Sequence, residues 1–256
     1  MDDNILRTIP SLYLANYLND FEDLLAKYNI VKKAYKKGEV LTQYGAISET
    51  AYYVKNGIMH LSIGHEEGEK SICLFGQGTI FPIDVEPRKF KMDYEMIIRA
   101  FSDLEVYSMS YQTLKKVAEE NGRFTGELLR ENCDFVGYMF LDSVNQTFEP
   151  CLSRICDILY LYLINVQPNE DKIPLTQSEL ANLASASRAQ MERSLKILRK
   201  EQTIETARGY IKVLNRKKLF TYCTQGYMKI FKNENIVRKL SICESICSFI
   251  VISCFF

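Results

Sequence analysis

The side chains with the most chemical potential lie in one run, Ser187-Arg188-Ala189-Gln190-Met191-Glu192-Arg193-Ser194-Leu195-Lys196. An arginine fork matches the O6 and N7 acceptors of guanine, and a glutamine amide matches N6 and N7 of adenine. Arg188, Gln190 and Arg193 on one helix, with Lys196 a turn further on, could therefore read base edges in a major groove and neutralise the phosphates beside it. Ala189 can offer a methyl group to thymine but cannot accept a hydrogen bond from cytosine. Arg208, before the Gly209 turn, is placed to touch phosphate. Thr176 and Gln177 open an earlier helical pattern.

Those residues need two short helices at a fixed angle. Thr176 with Glu179 three residues on is a capping box, and Ser187 with Gln190 repeats it. Leu180, Leu183 and Ala184 give the first helix an apolar face. Met191, Leu195 and Leu198 do the same for a second helix from about Arg188 to Lys200. Thr203–Thr206 and Tyr210–Leu214, either side of Gly209, read as a β-hairpin. The pattern is that of a winged helix-turn-helix, which lays its second helix in a DNA groove. The bland alternative is a helical pair in some other core with a solvated charged face. Charge argues against it. Residues 174–220 hold ten Lys/Arg against four Asp/Glu, and residues 1–150 hold sixteen against twenty-three. A neutral chain that gathers its positive charge on one module points to a polyanion contact.

The length of 256 residues suits two small domains, and 47% hydrophobic content is ordinary for a soluble chain. The start, MDDNILRTIP, is acidic where a secretory leader is basic, so a cytoplasmic location without a membrane span is expected. Eight cysteines stand at 73, 133, 151, 156, 223, 243, 247 and 254 with no Cys-x-x-Cys pair, and they read as reduced, mostly buried thiols. No nucleophile elbow, phosphate loop or zinc-protease motif occurs, and two histidines, His60 and His65, leave little general-base capacity; no enzyme and no cofactor is expected. Each histidine reads as a surface strand or turn residue rather than a haem ligand, and the absence of a cysteine before Cys73 excludes an N-terminal iron-sulfur cluster.

Upstream, residues 4–30 read as helical, with Leu12, Leu14, Tyr17, Leu18, Phe21, Leu24 and Leu25 on a broad apolar face. Short strands follow at 35–45, 51–63, 65–81 and 92–109, punctuated at Lys37-Gly38, Asn56-Gly57, Glu66–Gly68 and Gly76-x-Gly78. Many short strands at regular spacing predict an antiparallel β-roll. Residues 111–121 form a short helix and 124–147 a long one. There Leu129, Val136 and Ser143 share one heptad position, and Asn132, Met139 and Gln146 the other. That seam suits a two-stranded coiled coil with Asn132 as a register device; a helix merely packed on its own roll is the alternative. Phe148-Glu149-Pro150 breaks the helix and makes a hinge. Leu152–Ile164 is a further apolar helix, and 167–172 a polar loop. The expected class is α+β: an N-terminal helix and effector-sensing roll (1–123), a dimerisation helix (124–148), a winged helix-turn-helix (149–222) and a C-terminal extension (223–256). The apolar tail 240–256 is short for a membrane span and reads as a groove cover, a dimer extension or a disordered end.

In that order, these parts resemble the bacterial Crp/Fnr transcription regulators, typified by the cyclic-AMP receptor protein. The resemblance runs from about 31 to 220. It rests on Lys37-Gly38-Glu39-Val40, Tyr53-Val54-x-x-Gly57-x-x-x-Leu61, Gly76-x-Gly78-x-x-Phe81, Leu175-Thr176-x-x-Glu179-Leu180-Ala181 and Ser187-Arg188-x-x-x-x-Arg193-x-Leu195-x-x-Leu198. It implies a homodimer on a palindromic site, with RNA polymerase as a further partner, Arg188 and Arg193 as base readers, Ser187 and Gln190 at phosphate or base contacts, and Thr176 and Gln177 near a phosphate. Ala189 replaces a glutamate of the cyclic-AMP receptor, so the half-site should differ.

The effector site departs from the family. Cyclic-nucleotide binders carry Phe-Gly-Glu after the Gly-x-Gly turn and an Arg-Ser/Thr pair soon after. Here the run is Phe81-Pro82-Ile83-Asp84, then Arg88-Lys89. Proline removes an N–H donor and isoleucine cannot accept from ribose. A small-molecule effector other than cyclic AMP is expected, in a pocket near Phe81, Asp84, Arg88, Lys89, Asn132 and Phe135. The alternative function is a ligand-binding or redox-sensing module that acts through protein contacts.

Overall fold

The computed structural model describes residues 11–44, 50–65, 68–83, 95–166 and 170–224. The chain opens with β1 (Tyr13–Leu14), a 3-10 turn over Asn19–Phe21 and α1 (Glu22–Leu25). The roll follows as β2 (Val31–Tyr35), β3 (Val40–Tyr44), β4 (Thr50–Asn56), β5 (Met59–His65), β6 (Gly68–Phe75), β7 (Ile80–Phe81), β8 (Glu95–Ala100) and β9 (Leu104–Ser110). Then come α2 (Tyr111–Glu120), α3 (Gly122–Phe148), α4 (Cys151–Leu161) and a π-helical turn, Tyr162–Val166. The C-terminal unit holds β10 (Lys172–Ile173), α5 (Gln177–Leu183), α6 (Arg188–Lys200), β11 (Ile204–Ala207), β12 (Tyr210–Val213) and α7 (Arg216–Thr221).

Two sheets make the roll, in the orders β1-β6-β5-β8-β3 and β2-β9-β4-β7. The β4–β5 turn sits on Gly57 at φ 86°, where a Cβ would come within 2.1 Å of the Asp103 carbonyl oxygen, so only glycine fits. One core cluster packs the second sheet against α1, α2 and the start of α3, through Tyr53, Tyr107, Leu114 and Phe124. The other runs from inside the roll to the C-terminal unit, where Leu180, Met191 and Leu195 belong to the same cluster as Leu61 and Leu74. The two units are thus packed on each other, with α5 against β6.

Three expectations need correcting. The apolar face at 12–25 belongs to no long helix. Leu12 and Leu14 are buried where β1 runs parallel to the end of β6, and helix begins only at Asn19. Leu12 and Leu14 alternate as in a strand, and residues 4–10 of that reading lie outside the described residues. His60 is buried rather than at the surface, because α5 covers the outer face of the β5–β6 sheet. Its Nε2 lies 3.0 Å from Ser71 Oγ, and burial lowers the ring to about 4, so it is neutral. The His65 side chain lies outside the described residues.

The apolar residues that the long helix leaves exposed also differ from the expected seam. Met139 packs partly buried against the core and Gln146 is half-buried, while Leu129 (61% exposed), Val136 (43%), Phe140 (71%) and Val144 (51%) face outward. The exposed apolar stripe therefore pairs Leu129, Val136 and Ser143 with Cys133, Phe140 and Thr147. Phe135, Tyr138 and Met139 have gone to the roll instead. Asn132 is exposed. The helix breaks at Glu149-Pro150: α3 ends on Glu149 in an extended conformation and Pro150 opens α4.

Candidate nucleic-acid interface

Both capping boxes are formed. Thr176 Oγ1 accepts from the Glu179 amide at 3.1 Å, and Glu179 accepts from the Thr176 amide at 2.7 Å. Ser187 Oγ accepts from the Gln190 amide at 3.3 Å, and Gln190 Oε1 from the Ser187 amide at 3.0 Å. Gln190 is thereby held at the helix entry with part of its carbonyl capacity used, which leaves its NH2 as the freer reading group. Ser187→Ala should lower unfolding stability in urea by about 1 kcal/mol, with Ser187→Thr close to wild type.

Met191, Leu195 and Leu198 bury one face of α6 against α4. The opposite face is exposed at Arg188, Ala189, Gln190, Arg193 and Lys196. Arg193 Nε donates to the Ala189 carbonyl at 3.3 Å, which lays the arginine along the helix. Arg188, Lys196 and Arg208 make no ion pair among the described residues. Glu192, the one acid on this stretch of α6, is drawn back to Arg199 at 2.8 Å. Thr176 and Gln177 are exposed at the start of α5. The wing is a three-stranded sheet, β10-β12-β11, with Arg208 exposed at its tip beside Gly209 at φ 82°. Its strand β10 replaces the end of the expected polar loop, since Lys172 and Ile173 pair with Lys212 and Ile211.

The sequence reading missed what holds this unit. Lys37 Nζ reaches Glu179 Oε1 at 2.9 Å, tying the start of α5 to the roll. Burial works against the charge on Glu179, but the Thr176 amide and Lys37 hold its carboxyl below the usual range. Arg154 of α4 donates to carbonyls of both α3 and the α5–α6 turn. An arginine on a mostly apolar helix was the only sequence signal for it.

The effector candidates are split. Phe81 and Phe135 come together at 5.8 Å between ring centroids, with Phe75 stacked on Phe81 at 4.6 Å. Asn132 is on the exposed face and does not join them. Asp84, Arg88 and Lys89 lie outside the described residues.

The geometry defines a class: a β-roll joined by a long helix to a winged helix-turn-helix with an exposed basic reading face. Two family models match, a cyclic nucleotide-binding domain over residues 32–121 and a Crp-like helix-turn-helix domain over 153–222. Together they cover more than half of the chain, in the order the fold displays. No curated protein sequence matches it. Among solved structures, a protein described as a transcriptional regulator of the Crp/Fnr family from Eubacterium rectale is 16% identical, with TM-score 0.65 over 80% of this chain and 94% of that one. FixK2 from Bradyrhizobium japonicum is 14% identical (TM-score 0.64, 76% and 98%). The global regulator CLP of Xanthomonas campestris, described as responsive to c-di-GMP, is 18% identical (TM-score 0.63, 76% and 98%). The chain belongs to the Crp/Fnr family of DNA-binding transcription regulators. Among the described residues no helix is long and apolar enough to cross a membrane.

Proposed function

We propose that the chain acts in the cytoplasm as a homodimer on a palindromic DNA site, under an effector other than cyclic AMP and in contact with RNA polymerase. In this reading residues 1–123 sense, 124–148 dimerise and 149–222 bind DNA, with 223–256 as an extension. Arg188 and Arg193 read bases and Ala189 meets a thymine methyl. Ser187 and Gln190 fix the helix entry, and Thr176, Gln177, Lys196 and Arg208 meet phosphates. The observation that carries it is α6 itself, buried on Met191, Leu195 and Leu198 and exposed at every candidate reading residue.

The effector reading rests on chemistry at the roll. Pro82 and Ile83 stand where a cyclic-nucleotide binder needs an amide donor and a ribose acceptor, and Phe75, Phe81 and Phe135 pack on one another there. Cyclic AMP should leave the melting temperature unchanged, whereas an effector that binds only the folded roll should raise it.

The DNA reading is tested by selecting duplexes from a random pool and measuring Arg193→Ala on the selected site. The variant should lose about 1–3 kcal/mol of specific binding and relax one base preference, while non-specific binding and its salt slope change little. Selection that yields no site bound more tightly than random DNA at moderate salt would end this reading.

A further inference from the structure

Arg154 is half-buried at the junction of three elements. Its Nη1 donates to the carbonyls of Gln146 and Glu149 at 3.2 Å each, at the C-terminal end of α3. Its Nε donates to the Ala184 carbonyl at 3.2 Å and its Nη2 to that of Ser185 at 3.3 Å, in the turn between α5 and α6. None of these acceptors has an ordinary helical partner. The residue four beyond Gln146 is Pro150, which has no N–H, and Glu149 is the extended C-cap. Ala184 caps α5, and Ser185 turns the chain at φ 47°. A planar guanidinium presents five donors in a rigid fork spread over two nitrogens and Nε, whereas an ammonium gathers three on one atom.

We propose that Arg154 is a positioning residue that fixes the angle between the central helix and the recognition helix, and so the half-site spacing that the dimer accepts. The proposal rests on the dimer reading above. Pro150 breaks the backbone between α3 and α4, so side-chain bonds must supply the stiffness the helix no longer gives. Arg154 supplies it from the α3 end directly to the turn that launches α6. The Ser187 cap follows two residues after Ser185, so little chain lies between the brace and the reading face. In a two-fold dimer on α3, any swing at this joint changes the separation of the two recognition helices. A shift of one base pair moves a half-site by about 3.4 Å along the axis and also turns it around the helix. A stiff joint therefore discriminates between spacings, and a loose one does not.

The test uses the full chain and four duplexes: the two-fold site selected by the wild type, the same site with one base pair added or removed at its centre, and a single half-site. Wild type should prefer the selected spacing by about tenfold or more, because only that geometry lets both helices engage. Arg154→Met should bring this preference below about threefold, with half-site affinity within about twofold of wild type. Arg154→Lys keeps the charge and the length and should show part of the same loss; it carries the test if the methionine variant fails to fold. Retention of the wild-type spacing preference overturns the proposal. Equal loss on the half-site and the full site overturns it too, since Arg154 would then only support the fold. A wild type that selects no two-fold site sinks the dimer reading instead, and this proposal with it.

Discussion

Phe140→Glu should turn the protein into a monomer in sedimentation velocity and lower its affinity for the selected two-fold site by about a hundredfold or more. Phe140 is 71% exposed on α3, in line with Leu129, Val136 and Val144, so nothing in its own protomer is lost when it changes. A phenylalanine left in water forgoes about 1.5–3 kcal/mol that burial would return. Across a two-fold axis each residue of the stripe counts twice, and a glutamate there would meet its own copy or a neighbouring apolar side chain. Half-site binding should survive, because α6 packs on α4 and α5, and Lys37 and Arg154 hold α5 and the turn before α6, rather than this stripe. Met139→Glu is the informative contrast. Met139 packs on the core, so that variant should melt early instead of dissociating. A Phe140→Glu protein that sediments as a dimer would refute this assignment of the interface.

The contrast between Phe140 and Met139 also marks the limit of what the sequence carried. An apolar helix surface wider than one contact was legible, but its phase was not. The roll takes Phe135, Tyr138 and Met139, and that choice depends on strands far away in the chain. Local signals did better. The two capping boxes, the Asn56-Gly57 turn and the Met191-Leu195-Leu198 stripe are decided by residues a few positions apart, and each was read correctly. Failures came where a partner distant in sequence supplied the reason. His60 is buried by α5, and Leu12 and Leu14 became strand because β6 had a free edge beside them. The contacts that Arg154 and Lys37 make carry little signature until the elements they join are in place. The reading face of α6 was legible because it is what remains after a short, self-contained core stripe is assigned.

Glu131 was equally unreadable, and it leads to a second large effect. It lies on α3, 1% exposed, and accepts from the Ile80 amide through Oε1 at 3.0 Å and Oε2 at 3.2 Å. Among the described residues no lysine or arginine pairs with it. Nearby, Tyr17 donates to Asp134 at 2.8 Å with the Arg130 guanidinium over its ring, and the Cys73 thiol is buried close enough to feel the charge. Burial pushes the Glu131 carboxyl well above its ordinary 4.5, against the pull of the Ile80 amide. A folded value above the unfolded one means stability that is fully present below the unfolded value and is lost as pH rises through the folded one. Wild type should therefore lose stability from this group between mildly acidic and alkaline pH. Glu131→Gln keeps an oxygen for Ile80 and removes the charge. In urea melts it should match wild type most closely near pH 5 and exceed it increasingly towards pH 8. Asp157 of α4, pushed up to about 7 by its own burial, slopes the same way, so the difference between the two proteins, not the raw curve, isolates Glu131. Glu131→Ala should fall about 1–3 kcal/mol below Glu131→Gln, the cost of leaving a buried amide without its acceptor. Parallel pH curves for wild type and Glu131→Gln would show that the carboxylate is not desolvated as the geometry implies. The bond also ties the central helix to β7, the strand that carries Phe81.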